Sequence, residues 1–188
     1  MSATSSASPA ATTRRTALVL VVPEAQPLVG AFRARHDAAA VARRVPPHVT
    51  VLVPFVPPEE LSDLVLSELR AHAAGLDAFD ADVTHVSTFS GHVWLAPAPR
   101  DNFLALIRRT YARFPEYPPY GGDHPDPEPH LTVGQADSPP ALAAVAASAE
   151  RVLGPGLPLS FRVDALTLIG EGSDGVWRTV ERCPLDGA

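Results

Sequence analysis

A five-residue phrase that occurs twice restricts the fold of this chain more than any other feature. Residues 47–51 read PHVTV and residues 129–133 read PHLTV. The chain has seven histidines, so a single His-x-Thr means little. Two copies sharing the proline, the apolar middle residue and the final valine arise by chance on the order of 1% of the time. His85-Val86-Ser87 is a partial third copy; it lacks both the proline and the threonine and is given no role.

The first phrase lies in a β-rich segment, 47–55, bounded by prolines, and the second opens HLTVGQ directly after Pro129, so each reads as a strand. In a strand, residues i and i+2 share a face. His48 and Thr50 therefore project together, with Val49 and Val51 turned into a core; His130 and Thr132 repeat the arrangement. A separation of 82 residues suggests two similar lobes, each supplying one such strand. Strands that face each other across a cleft would bring together two imidazoles and two hydroxyls. That set suits in-line displacement at phosphorus without a metal. A base is needed beside the attacking oxygen and an acid beside the leaving one, and histidine serves as either near neutral pH. Threonine hydroxyls can donate to the non-bridging oxygens.

The rest of the chain predicts an α+β protein. TALVLVV at 16–22 reads as a buried strand. Leu28, Val29 and Phe32 space out a helix over 26–36. The first phrase lies in a strand over 47–55. A helix opens at Pro58-Glu59 and runs to about Ala73. Residues 79–97 form a hairpin turning at Ser90-Gly91. Asp101 caps a helix to about Arg113. Residues 114–129 are a loop of prolines, tyrosines, glycines and acids, and loops this long are commonly functional. HLTVGQ is a strand, 138–153 a helix with Ser138 as a cap, and 158–169 and 175–183 are two final strands. Hairpins among the alternating elements mean mainly antiparallel pairing rather than a doubly wound sheet. Residues 1–14, rich in Ser, Thr, Ala and Pro, are expected to be a disordered tail ahead of a single domain over 15–188.

Charge and composition narrow the partners. The net charge is −6, which argues against an extended nucleic-acid footprint. All basic residues are arginine, whose planar fork suits phosphate oxygens; a coding bias explains the same fact. Cys183 is the lone cysteine and reads as a buried strand residue. No apolar run reaches membrane-spanning length, and the first residues lack the apolar core of a signal peptide, so the expected location is the cytoplasm; a monomer is the expected state. No glycine-rich phosphate loop is present.

With its two H-x-T motifs, HVTV and HLTV, and the stretch PPHVTVLVPF, the sequence resembles the 2H phosphoesterase superfamily, and within it the 2′-5′ RNA ligase-like branch, over about residues 15–185. The resemblance implies a bilobal, pseudo-twofold fold with two mainly antiparallel sheets around a central cleft and helices outside. It implies metal-independent hydrolysis of 2′,3′-cyclic phosphates or 2′-5′ bonds in RNA ends or small nucleotides, with no cofactor. His48 and His130 match the family's catalytic histidines, and Thr50 and Thr132 its phosphate-binding residues. The resemblance leaves open which histidine is base and which acid. End joining by the reverse reaction, or a binding module without turnover, are the alternative readings.

Phe55, Tyr117, Tyr120 and Arg178 are the further candidates for substrate contact. Trp94 and Trp177 could stack on a base, but a strand tryptophan more often belongs to the core. Arg43 and Arg44 suit a solvated helix end. His36, His72 and His92 carry no special context. His124, Asp126, Glu128 and His130 invite a metal reading, but the intervening prolines break any familiar ligand spacing and the repeat already accounts for His130.

Overall fold

The computed structural model describes residues 15–123 and 127–188. The expected tail over 1–14 lies outside the described residues, as do His124 and Asp126.

Strands β1 (Thr16–Val21), β2 (His48–Leu52), β3 (Phe79–Phe89), β4 (His92–Ala98), β5 (Leu131–Gln135), β6 (Leu159–Val163), β7 (Ala165–Glu171) and β8 (Trp177–Pro184) alternate with helices α1 (Gln26–His36), α2 (Ala38–Ala42), α3 (Asp63–Ala73), α4 (Arg100–Arg113) and α5 (Pro139–Leu153). The strands form two four-stranded sheets of order β2-β1-β7-β8 and β5-β4-β3-β6. Every strand pair in them is antiparallel. This is the expected α+β, bilobal arrangement, and it places the two repeated phrases at equivalent edges.

Alternation along the repeats produces that placement. Val49, Val51, Leu131 and Val133 are at most 1% exposed, whereas Thr50 and Thr132 between them are half-buried on the opposite face. Helices cover the sheets crosswise. α1, which follows β1, packs on β5; α4, which follows β4, packs on β2. One apolar core therefore draws on both sheets, from Leu18, Leu20 and Val49 to Leu95, Leu131 and Phe103. Moving one lobe against the other would open this core.

The structure corrects three local expectations. The helix expected from Pro58 begins at Asp63: residues 58–60 make a single 3-10 turn, Leu61 is extended, and the Ser62 hydroxyl accepts from Val65 N at 3.4 Å as the true cap. Asp101 is not a cap, because α4 already starts at Arg100 behind Pro99. The strand expected over 158–169 is two strands in different sheets. β6 pairs with β3 and β7 with β1 and β8, and the chain crosses between lobes at Asp164. β6 alternates, with Ser160 and Arg162 exposed, while β7 is buried along its first five residues, and a single polar residue between two strand-like runs does not by itself show that they belong to different sheets.

Candidate active site

β2 and β5 lie side by side where the two sheets meet. His48 and His130 stand at their starts, each held in the same way. His48 Nδ1 is 2.7 Å from the carbonyl oxygen of Pro46, and His130 Nδ1 is 2.7 Å from that of Glu128. A carbonyl only accepts, so each Nδ1 carries the proton and each Nε2 is left to act in the cleft. In both repeats the proline between the histidine and this carbonyl limits the backbone, which fixes the ring.

Burial holds both imidazoles toward the neutral form. His48 is pushed down to about 4, first by desolvation and further by the Arg33 guanidinium and by His130, against the opposing Pro46 carbonyl. His130 is also lowered, first by desolvation and further by His92, while the Glu128 carbonyl opposes. Each histidine thus feels another imidazole within electrostatic reach.

Val19 lies opposite Thr50 across the β1–β2 pair, and Trp94 opposite Thr132 across β4–β5. Tyr120 joins the two halves. Its hydroxyl bonds to the Thr50 side chain, and its ring lies nearly parallel to the His130 ring with centroids 6.4 Å apart. Its backbone is left-handed (φ 52°) and runs into Gly121 (φ 66°), which brings the ring back over the cleft. Desolvation raises the Tyr120 phenol, so it stays protonated and able to donate.

A cavity of about 620 Å³ opens beside His130, lined by Phe89, His92, Trp94, Tyr120 and Glu128 among others. The Phe89 ring meets His130 edge-on at 4.8 Å and Trp94 at 5.5 Å. Trp94 Nε1 is buried and has no hydrogen-bond partner among the described residues. Beside His48 lies a smaller hollow of about 160 Å³, lined by Ala17, Val19, Arg43, Thr50 and Trp177 among others. There Arg15 and Arg43 each lie 5.9 Å from the Trp177 ring, and both pair with Glu171.

Of the residues expected at the site, His48, His130, Thr50, Thr132 and Tyr120 come together. Three others do not. Phe55 is 2% exposed and packs edge-on against Phe114 and Tyr117 in the core. Tyr117 turns to that same cluster rather than to the cavity. Arg178 stands beside Trp177, so strand alternation turns it away from the cleft; it pairs with Asp174 at 2.7 Å on the surface. Sequence reasoning missed Phe89 and His92. The turn Ser90-Gly91, both at positive φ, sets them directly opposite each other. The hairpin was legible, but not that its tip faces His130. Arg43, expected at a solvated helix end, lines the His48 hollow instead.

Among the described residues, no cluster of three or more His, Cys, Asp or Glu side chains is placed to hold a metal, and no helix is long and apolar enough to cross a membrane.

Two equivalent strands, each offering a histidine and a threonine to one cleft, on paired antiparallel sheets, define the fold of the LigT-like 2H phosphoesterases. It is similar to E. coli LigT, in a structure complexed with NADP+, at TM-score 0.59 and 20% identity over 93% of this chain and 98% of that one. It is similar to TT0787 of Thermus thermophilus at TM-score 0.56 and 20% identity, over 92% and 98%. In sequence it is 31% identical over 119 residues to BH1439 of Halalkalibacterium halodurans, a protein named as a phosphoesterase; the match spans 58% of this chain and 63% of that relative. The model of the 2′-5′ RNA ligase superfamily matches residues 21–175, and the chain belongs to that family.

Proposed function

We propose that the protein is a metal-independent phosphodiesterase that hydrolyses 2′,3′-cyclic phosphate or 2′-5′ phosphodiester bonds in RNA ends or small nucleotides. The observation that carries this reading is the matched pair of histidines. Each has Nδ1 tied to a carbonyl two residues upstream, so each offers Nε2 to the same cleft. One Nε2 takes a proton from the attacking oxygen while the other gives one to the leaving oxygen. Thr50, Thr132 and the Tyr120 phenol supply donors for the non-bridging oxygens, whose charge grows in the transition state. The negative phosphate raises both imidazole pKa values on binding, bringing them into the range where one is charged and one neutral.

The match to a phosphoesterase relative supports the reaction class. Structures of LigT complexed with NADP+, 3′-AMP and ATP support a nucleotide as the ligand. A net charge of −6 favours small substrates or single RNA ends over long RNA. Joining of 2′-5′ ends is the same displacement run backwards and needs no other residue.

The test is hydrolysis of 2′,3′-cyclic nucleotides in EDTA, by wild type and by His130→Ala. Turnover that persists in EDTA and is lost in a folded variant is the expected result. Equal turnover by the variant, or loss on chelation, refutes the mechanism.

A further inference from the structure

A further cavity gathers cations without belonging to the cleft. It holds about 210 Å³ and is lined by Gln26, Gly30 and Arg33 on α1, by Val41 on α2, and by Arg44 and Pro46 on the way into β2. It shares no lining residue with the large cavity beside His130, and only Val45 with the hollow beside His48. The lining carries two guanidinium groups and an amide, and no carboxylate.

Residues 26, 30 and 33 fall on one face of α1, because side chains three and four apart lie above one another on a helix. Glycine inside a helix is less stable than alanine, and at position 30 it leaves space. A Cβ there would stand 2.6 Å from Gln26 Nε2, so the Gln26 amide lies over bare helix backbone. Arg33 is 3% exposed. Its Nη2 donates to the Val45 carbonyl at 3.1 Å and to Asp37 at 3.4 Å. The second distance is long for two charged groups, which ordinarily close to about 2.7–2.9 Å. Asp37 is not part of the lining, and its other oxygen accepts from Gln135 at 3.1 Å. Arg33 Nε is sealed; Nη1 makes no hydrogen bond among the described residues and is not sealed. Arg44 has left-handed backbone (φ 58°) just past α2, where Val45 N bonds to the Ala40 carbonyl and Arg44 N to that of Val41, both at 2.9 Å. Glycine makes this helix-ending turn with the least strain; here the position carries a cation. Among the described residues, neither the Gln26 amide nor the Arg44 guanidinium has a hydrogen-bond or ion-pair partner.

We propose that this cavity binds a small oxyanion of the phosphate class, as the free ion or as the end group of a phosphate monoester, between Arg33 and Arg44 with the Gln26 amide as a third donor. The planar guanidinium fork meets two phosphate oxygens at once. The volume admits one such group and not a nucleoside, so a nucleotide would enter phosphate first. The site does not depend on the function proposed above. Its one link to the cleft runs through the chain: Arg33 holds the Val45 carbonyl, and the next carbonyl, that of Pro46, holds His48 Nδ1.

The experiment follows the unfolding temperature of the full chain as inorganic phosphate is added, against sodium chloride at matched ionic strength. The wild type should be stabilised saturably by phosphate beyond the chloride control. Phosphate can also enter the cleft, so three variants locate the effect. Thr132→Ala, on the cleft side, should keep the response. Arg44→Ala should weaken the apparent affinity ~10-fold, the loss of one charged hydrogen-bonding partner. Gly30→Ala is the sharper test, because its two effects differ in sign. The added Cβ meets the end of a flexible side chain rather than backbone, so the variant should fold and melt at a higher temperature without phosphate. It should nevertheless bind phosphate more weakly than the wild type, since the Gln26 amide is displaced. A wild-type response in both Arg44→Ala and Gly30→Ala overturns the site. So does a response that chloride reproduces, one that Thr132→Ala abolishes, or none in the wild type. Glycerol 1-phosphate in place of phosphate tells the two forms of the ligand apart: equal affinity, lost again in Arg44→Ala, marks a monoester end group, and clearly weaker affinity marks the free ion.

Discussion

His48 makes the stability of this protein depend on pH in a way that can be worked from its surroundings. Its folded-state pKa is about 4, against 6.5 for an unperturbed histidine, chiefly because burial penalises the cation. The group is depressed, so between those values the unfolded chain binds the proton and the native protein does not. Stability is therefore complete above pH 6.5 and falls as pH drops toward 4. For one group moved by this amount the loss is about 2 kcal/mol at pH 5 and about 3 kcal/mol at pH 4, relative to pH 8. His130 is lowered too and adds in the same direction. The perturbation is His48→Asn, whose amide can still donate to the Pro46 carbonyl but does not titrate. Urea unfolding at pH 8, 6 and 5 is the assay. The wild type should lose about 2 kcal/mol more than the variant between pH 8 and pH 5, a midpoint shift of roughly 1 M urea. Parallel pH dependence in the two proteins would show that His48 is not desolvated and would remove the physical basis for its unprotonated state.

Three further outcomes follow from the packing. Phe55→Ala should destabilise by about 3–5 kcal/mol and leave KM unchanged, because the ring fills the Phe114–Tyr117 cluster; a KM effect in the folded variant would return Phe55 to the site. Arg178→Ala should change neither activity nor unfolding midpoint, since its partner is the exposed Asp174; lost activity would contradict its position outside the cleft. Tyr120→Phe removes the bond to Thr50 and should lower kcat/KM about fivefold, the worth of roughly one hydrogen bond, without a change in circular dichroism; unchanged kinetics would deny the phenol a part in holding the phosphate site.

The two motif strands were legible because their signal is local: alternation decides which side chains face the cleft, and a proline directly before each histidine limits where the strand can start. The helices at 26–36 and 138–153 were legible for a similar reason, Ser138 accepting from Ala141 N at 3.4 Å as a cap should. What the sequence hid depends on long-range pairing. Nothing near Asp164 announces that the chain leaves one sheet for the other. Nothing near His92 announces that it shares a cavity with His130; that follows from the register of β4 on β5 and from the turn that precedes it. Phe55 and Tyr117 were drawn to the site by their closeness to the motifs in sequence, yet the core claimed both rings. Arg178 was misplaced because its face of β8 depends on the pairing with β7, which sequence alone does not give.

The relation between the lobes is held by a group that composition made look ordinary. Arg33 and Asp37, 3% and 5% exposed, pair at 3.4 Å near the end of α1. Gln135 on β5 donates to Asp37 at 3.1 Å, and Arg33 donates to the Val45 carbonyl at 3.1 Å. The cluster thus ties the segment leading into one motif strand to the end of the other, with the Arg33 charge felt at His48. Arg33→Met should cost about 3–5 kcal/mol, because it leaves a buried carboxylate without its cation. Desolvation already raises the Asp37 pKa even with Arg33 present, so in the variant that carboxyl should take up a proton at a higher pH than in wild type. Arg33→Met with Asp37→Leu should recover most of the stability. If the cluster also sets the cleft, kcat/KM should stay low in the double variant after stability returns. Full recovery of both would reduce the pair to a packing element and leave the alignment of the histidines to the crossed helices α1 and α4.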